Sequence, residues 1–232
     1  MTRPLAVDID GTLTDENRAV DPRVFEVIRE WPEPVVVATG KAFPYPVGLC
    51  EFLQVPINVI AENGGVTYTA ADDALSINGD PEAAHAVADA FREAGYDLGW
   101  GDVDLTNRWR ETEIAVSLDA PLEPLRNLAA EHGLEVVDTG FAYHVKSPSV
   151  DKGTGLRTAA ASLGRDPGEF AAIGDSENDA AMFELAAESF AVANADETAR
   201  AAADAVTTAA YADGFLEAVE RLAESDDGDR VP

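Results

Sequence analysis

The sequence holds a single cysteine, Cys50, so no intrachain disulfide can form, and a lone thiol of this kind reads as a small buried side chain. Lysine is almost as scarce: Lys41, Lys146 and Lys152 are the only three, and the other basic residues are arginines. No apolar run approaches the roughly 18 residues of a membrane span. The opening Met1-Thr2-Arg3-Pro4 leads into a short apolar segment without the layout of a secretory signal, so a cytoplasmic protein is expected. With 232 residues and 46% hydrophobic side chains, the chain can bury a full core and divide into two lobes.

Positive charge is also in short supply. Against 44 Asp and Glu stand 16 Lys and Arg, a formal net charge of −28. Such a field repels nucleic acid and anionic membranes and excludes both as partners. The acidic residues are spread along the chain rather than clustered, which argues against a metal buffer and for adaptation to high salt. At about 1 M salt the Debye length falls to roughly 3 Å, and the self-repulsion is largely screened.

Apolar patterning predicts alternating strands and helices over residues 1–80 and again from 151. Short runs at 5–9, 35–38, 58–61, 170–173 and 190–192 read as strands buried on both faces. Helices are expected at 22–30, with Asp21 as N-cap and Pro22 opening it, and at 46–53, 153–163, 179–185, 197–203 and 214–223. The turn Glu62-Asn63-Gly64-Gly65 leads into 66–69 as a hairpin. Between these halves the character changes: an alanine-rich helix over 81–94, a strand over 113–118, a helix over 121–132 ended by Gly133, then strands over 134–139 and 142–146. The expected fold is α/β, a doubly wound Rossmann-like parallel-sheet core over 1–80 and 151–225. A small inserted α+β cap domain would occupy 81–150. Residues 226–232 read as an acidic disordered tail.

The first strand ends in Asp8-Ile9-Asp10-Gly11-Thr12-Leu13-Thr14. Alternate strand residues share a face, so Asp8 and Asp10 could converge on one ion or one phosphate. Neighbouring carboxylates repel unless a cation or proton lies between them, which implies Mg²⁺ or one charged and one protonated group. An acidic turn or a Ca²⁺ loop would look similar. Three further stretches follow strands, where ligands gather in such sheets. Thr39 and Gly40 offer a hydroxyl and backbone N–H groups to phosphate oxygens. Asp151-Lys152-Gly153 opens a helix with a cation set against the macrodipole, an arrangement that makes sense when the lysine pairs with an anion. Ile173-Gly174-Asp175-Ser176-Glu177-Asn178-Asp179 puts Asp175 at a strand end and Asp179 in the first helical turn, where an acid is favourable in any case. Asn178 can serve there as a cap or as an orienting donor.

In this order, each after its own strand, the four clusters resemble the motifs of the haloacid dehalogenase superfamily of phosphotransferases. The position of the cap, between Gly40 and Lys152, is similar to that of the superfamily's Cof-like members. The resemblance implies that Asp8 is a nucleophile forming an aspartyl-phosphate, and that Asp10 is general acid and then base. It implies Mg²⁺ held by the Asp8 carboxylate, the Asp10 carbonyl, Asp175 and Asp179, with Thr39, Gly40 and Lys152 gripping the phosphoryl oxygens and Asn178 beside them. Thr106-Asn107-Arg108-Trp109-Arg110-Glu111, the turn at Glu62 and, more weakly, Tyr143-His144-Val145-Lys146 are similar to archaeal phosphoglycolate phosphatases. That likeness implies a small-molecule phosphate ester, 2-phosphoglycolate, as substrate. Arg108 or Arg110 suits its carboxylate, and structural ion pairs are the competing use of both. A sugar-phosphate phosphatase, a phosphomutase and a non-catalytic acidic Mg²⁺-binding protein are the alternatives. Trp109 is expected to pack in core or cap, His85 and His132 to lie on the surface, and His144 is the histidine that could face the site. An exposed cap or core edge could form a homodimer.

Overall fold

A computed structural model describes residues 2–228 of the chain. In chain order its elements are β1 (Leu5–Asp8), α1 (Arg23–Glu30), β2 (Val35–Ala38), α2 (Pro44–Leu53), β3 (Asn58–Ala61), β4 (Val66–Thr69) and β5 (Ala74–Ile77). Then come α3 (Pro81–Glu93), β6 (Ile114–Val116), α4 (Leu122–Glu131), β7 (Glu135–Asp138) and β8 (Tyr143–Lys146). The chain closes with α5 (Lys152–Ser162), β9 (Ala171–Gly174), α6 (Ala180–Phe183), β10 (Glu188–Ala191), α7 (Glu197–Ala202), β11 (Ala205–Val206) and α8 (Tyr211–Gly228).

The larger sheet has the order β11-β10-β9-β1-β2-β3-β4-β5. From β11 to β3 every pair is parallel, and β4 and β5 return antiparallel at one edge. Strand alternation sorts the core into two layers. Leu5 and Val7 pack with Val24, Leu53 and Phe215 from α1, α2 and α8. Ala6 packs on the opposite face with Leu156, Met182 and Ala199 from α5, α6 and α7. The fold is therefore doubly wound α/β, with an antiparallel edge. Strands β5 and β11 are not among the expected ones: β5 has only four residues, with Leu75 and Ile77 exposed, and β11 is two residues long.

The smaller sheet, β6-β8-β7, is antiparallel and is covered by α3 and α4. Its core is separate, built from Val87, Phe91, Ile114, Val116, Leu125, Ala129 and Val145. Asp80 caps α3 by accepting from the Ala83 N–H at 3.0 Å, and Asp151 caps α5 by accepting from Thr154 at 2.7 Å. Each cap satisfies an N–H that the helix itself leaves unpaired, and the two lie where the chain enters and leaves the smaller lobe.

Several helix bounds differ from expectation; α2, for one, starts at Pro44 and not at 46. Asp21 accepts from the Arg23 N–H at 2.9 Å, but α1 begins one residue later than expected, with Pro22 at its N-cap position. The helix expected over 179–185 is a 3₁₀ turn, Glu177–Asp179, followed by the short α6. Helix α8 runs to Gly228, past the expected start of the tail at 226, because no glycine or proline interrupts 215–227. Residues 229–232 of that expected tail lie outside the described residues.

The sheet winds outward from β1 in both directions, through β2 and β3 on one side and β9 and β10 on the other. That reversal opens a crevice at the carboxyl ends of the strands. Register brings the crevice's walls level: Asp8 lies beside Ala38 of β2, and Val7 beside Ile173 of β9.

Candidate active site

Asp8 is the last residue of β1 and continues the face of Ala6, towards α5. The first residue of α5 is Lys152, whose fully buried side chain donates to Asp8 Oδ1 at 2.5 Å and to Asp179 Oδ1 at 2.6 Å. The other oxygen of Asp179 accepts the backbone N–H groups of Asp175 (2.9 Å) and Ser176 (3.1 Å), which closes the loop after β9. Asp8, Asp175 and Asp179 each bring a carboxylate oxygen within 4.8 Å of the others. Gly11 makes this approach possible: its φ is +84°, and a β-carbon there would meet Asp175 Oδ2 at 2.0 Å.

Two carboxylates thus share one ammonium, and a third, Asp175, stands beside them without a cation of its own. Burial pushes the Asp8 carboxyl well up; Lys152 pulls it down, and Asp179 and Asp175 push it up again. Asp175 is pushed up to about 7, first by burial and then by Asp179. Burial disfavours the charge on Lys152, yet Asp179 and Asp8 outweigh it and hold the ammonium above its ordinary range. Negative charge remains in excess. Hard oxygen donors with uncompensated charge suit Mg²⁺, and Asp8, Asp175 and Asp179 fit that ion.

Asp10 behaves differently from the strand-alternation expectation. The strand stops at Asp8, and the Ile9 carbonyl accepts from the Leu13 N–H at 2.9 Å, so Asp10 sits in a turn. Its carboxylate pairs with Lys41 and is not part of the converged triad. Asp8 and Asp10 do line one cavity of about 380 Å³, together with Thr39, Gly40, Lys41, Asp175 and Asn178. Arg110, Phe141 and His144 from the smaller lobe line the same space. A second cavity of about 470 Å³, lined in part by Lys152, shares Asn63, His144 and Asn178 with the first.

The turn after β3 ties the two lobes. Glu62, Asn63 and Gly64 take φ of 51°, 52° and 100° in succession. The left-handed Glu62 is held by its buried carboxylate, which accepts from the N–H groups of Glu111 (2.9 Å) and Thr112 (2.7 Å) and from the Thr112 hydroxyl at 2.8 Å. Asn63 Nδ2 donates to Glu113 Oε2 at 3.0 Å, and Asn63 Oδ1 accepts from Asn178 Nδ2 at 3.0 Å. Glu113 Oε1 in turn pairs with Arg110 Nη1 and with His144 Nδ1, the latter at 3.1 Å. Burial pushes the Glu113 carboxyl up, but His144, Arg110 and the Asn63 hydrogen bond outweigh it and hold it at about 2.

Most residues singled out in the sequence therefore gather around one crevice. Asp8, Asp10, Thr39, Gly40, Arg110, Asp175 and Asn178 line the first cavity, and Lys152 and Asp179 lie behind Asp8. Arg108 is exposed and lines neither cavity. Trp109 is 43% exposed instead of packed, because the buried face of its turn is taken by Arg110. His85 and His132 are exposed, and His144 faces the cavity. Lys41, Asn63 and Glu113 were not singled out. Lys41 did carry a signal, a rare lysine directly after Thr39 and Gly40; Glu113, one acid among 44, carried none.

Residues 5–105 and 127–219 match the family model of haloacid dehalogenase-like hydrolases. A phosphoglycolate phosphatase of Natronomonas pharaonis is 63% identical over 225 residues, 97% of this chain and 100% of that protein. Another, from Haloarcula marismortui, is 64% identical over 218 residues, 94% of this chain and 96% of that one. A solved structure from Thermoplasma acidophilum aligns with a TM-score of 0.82 at 26% identity, covering 96% of this chain and 98% of its own. The chain belongs to the haloacid dehalogenase-like hydrolases.

Proposed function

We propose that the protein is a Mg²⁺-dependent phosphatase that hydrolyses 2-phosphoglycolate to glycolate and phosphate through an aspartyl-phosphate on Asp8. In this reading residues 1–80 and 151–225 are the catalytic core and 81–150 the cap. The observation that carries it is the two-ended cavity: Asp8 and its buried Lys152 at one end, Arg110 and His144 at the other. The names of the two halophile relatives support the choice of ester.

Mg²⁺ among Asp8, Asp175 and Asp179 supplies the charge that lets an anionic carboxylate meet a phosphate dianion. Asp8 attacks phosphorus, the bond from phosphorus to the glycolate oxygen breaks, and Asp10, having taken a proton from solvent once the ester draws Lys41 away, gives that proton to the leaving oxygen. Water then attacks the phosphorus of the aspartyl-phosphate, Asp10 takes its proton, and the phosphorus–oxygen bond to Asp8 breaks. Lys152 adds fixed positive charge beside the phosphoryl oxygens. Thr39 Oγ1 accepts from the Lys41 N–H at 3.1 Å, which leaves its own proton for a phosphate oxygen. Lys41 holds Asp10 before the ester arrives; the phosphate offers Lys41 a second anion and frees Asp10 for proton transfer.

Steady-state phosphate release from 2-phosphoglycolate and from a panel of sugar phosphates, with Mg²⁺ in KCl on the order of 1 M, tests the assignment. Preference for 2-phosphoglycolate is expected; equal or better turnover of sugar phosphates overturns the substrate.

A further inference from the structure

The cap end of the cavity presents donors that the fold leaves unused. Arg110 and His144 are each only 6% exposed. Arg110 commits Nε to the Thr106 carbonyl at 3.0 Å and Nη1 to Glu113, and His144 commits Nδ1 to Glu113 at 3.1 Å. Among the described residues, Arg110 Nη2 and His144 Nε2 have no hydrogen-bond partner. Thr12 Oγ1 is the one enclosed side-chain atom without a partner among the described residues, so these two nitrogens open onto cavity space. Donors that face a cavity with no protein partner are free to bind a ligand's acceptors. The other cations of the cavity are engaged elsewhere: Lys41 with Asp10, and Arg18 over the Phe141 ring at 5.1 Å.

Glu113 fixes where the two donors point. One of its oxygens carries both of them, and the other is held by Asn63, which Asn178 holds in turn. Asn178 directly precedes Asp179, so a chain of hydrogen-bonded side chains registers the cap cations to the carboxylate triad. The His144 ring is held at Nδ1 by Glu113, which turns Nε2 towards the cavity, where an Nε2–H would meet an anion.

We propose that Arg110 and His144 form a two-point carboxylate clasp, positioned by Glu113, that selects phosphate esters whose leaving group is a short carboxylated alcohol. The proposal rests on the phosphatase reading above and names the group that reading must recognise. A carboxylate has one oxygen for each nitrogen, and both bonds are charge-assisted. A hydroxyl in its place leaves both nitrogens without the charged partner they face, and sites of this kind reject analogues strongly. Because the clasp is registered to Asp8 through fixed side chains, it also restricts the spacing between phosphoryl and carboxylate groups.

The test compares 2-phosphoglycolate with hydroxyethyl phosphate, in which a hydroxymethyl group replaces the carboxylate. The ratio of their kcat/KM values is expected to exceed about 10³ in the wild type. It should fall ~100-fold in Arg110→Gln and ~10-fold in His144→Gln, with Arg110→Lys recovering part of the loss. Glu113→Gln should lower the ratio ~10-fold through KM rather than kcat, as expected of a positioning residue. Circular dichroism establishes that each variant is folded; if Glu113→Gln is not, the Arg110 and His144 variants decide. Ratios within about threefold of wild type in both overturn the clasp. Calorimetry on Asp8→Asn separates this proposal from the function it rests on. Wild-type enzyme that releases no phosphate from 2-phosphoglycolate refutes the function, whereas Asp8→Asn that binds both esters equally refutes the clasp.

Discussion

At the carboxyl ends of the central strands, Asp8 and Asp179 share the one ammonium of Lys152, with Asp175 beside them; across the cavity, the single carboxylate of Glu113 is shared by Arg110 and His144. Asp175 apart, which is half-buried, both groups are buried, and both join carboxylates to basic side chains at hydrogen-bond distance. Their protonation runs in opposite directions: Asp8 and Asp175 are pushed up, the latter to about 7, and Glu113 is held at about 2. Burial acts the same way on all three, so the ratio of partners sets the sign. The core end lacks a cation, and the cap end has one to spare for an anion. A phosphate ester with a carboxylated leaving group, bound together with Mg²⁺, answers both imbalances at once.

The largest expected effect tests which end performs chemistry. Asp8→Asn should lower phosphate release at least about 10⁴-fold and abolish labelling of the protein by a phosphorylated substrate. Retained turnover would break the assignment of chemistry to the core end. Lys152→Met should cost ~10³-fold in kcat. It should also destabilise metal-free protein by about 3–5 kcal/mol, because Asp8 and Asp179 lose their buried partner. Denaturant midpoints and steady-state rates measure the two losses; a stable, active variant would mean that the carboxylates do not depend on that cation.

Mg²⁺ sharpens the comparison further. Chelation should abolish turnover, and Mg²⁺ at about 100 times its Kd should add about 2.7 kcal/mol of stability. Asp175→Asn should remove much of that gain, whereas Glu113→Gln should leave it in place. The smallest effects are in pH. Asp175 is held at about 7 against an ordinary 3.8, so the folded state binds its proton more tightly and metal-free stability should fall as pH rises between those values. Glu113 has the opposite sign: its contribution is complete above the ordinary 4.5 and is lost as pH falls towards about 2. Unfolding midpoints across pH read both slopes. Mg²⁺ should flatten the first, and Glu113→Gln the second.

Legibility divides along similar lines. Three of the four core motifs follow a short strand buried on both faces, so an apolar run announces each and the next polar residue is the candidate. Asp8, Thr39 and Asp175 were readable for that reason, and Lys152 because lysine is so rare in this chain. Asn63 was quoted only as a turn residue, since its partners lie 50 and 115 residues away. Arg108 and Arg110 stand two residues apart in one turn with the same chemistry; burial separates them, and no local pattern announced it. Strand β5 escaped because its alternation, Leu75 and Ile77, spans only four residues and faces solvent.

By itself, the sequence determined the order of strands and helices, the inserted lobe and the four loops that meet above β1, because apolar runs, caps and turn residues act over a few neighbours. It also set the excess of negative charge. Only the tertiary structure decided that Asp10 pairs with Lys41, that Arg110 and not Arg108 lines the cavity, and that Glu113 binds Arg110 and His144. Those choices depend on how two separately cored sheets face each other. The protonation of a buried carboxylate depends on which charges surround it in three dimensions.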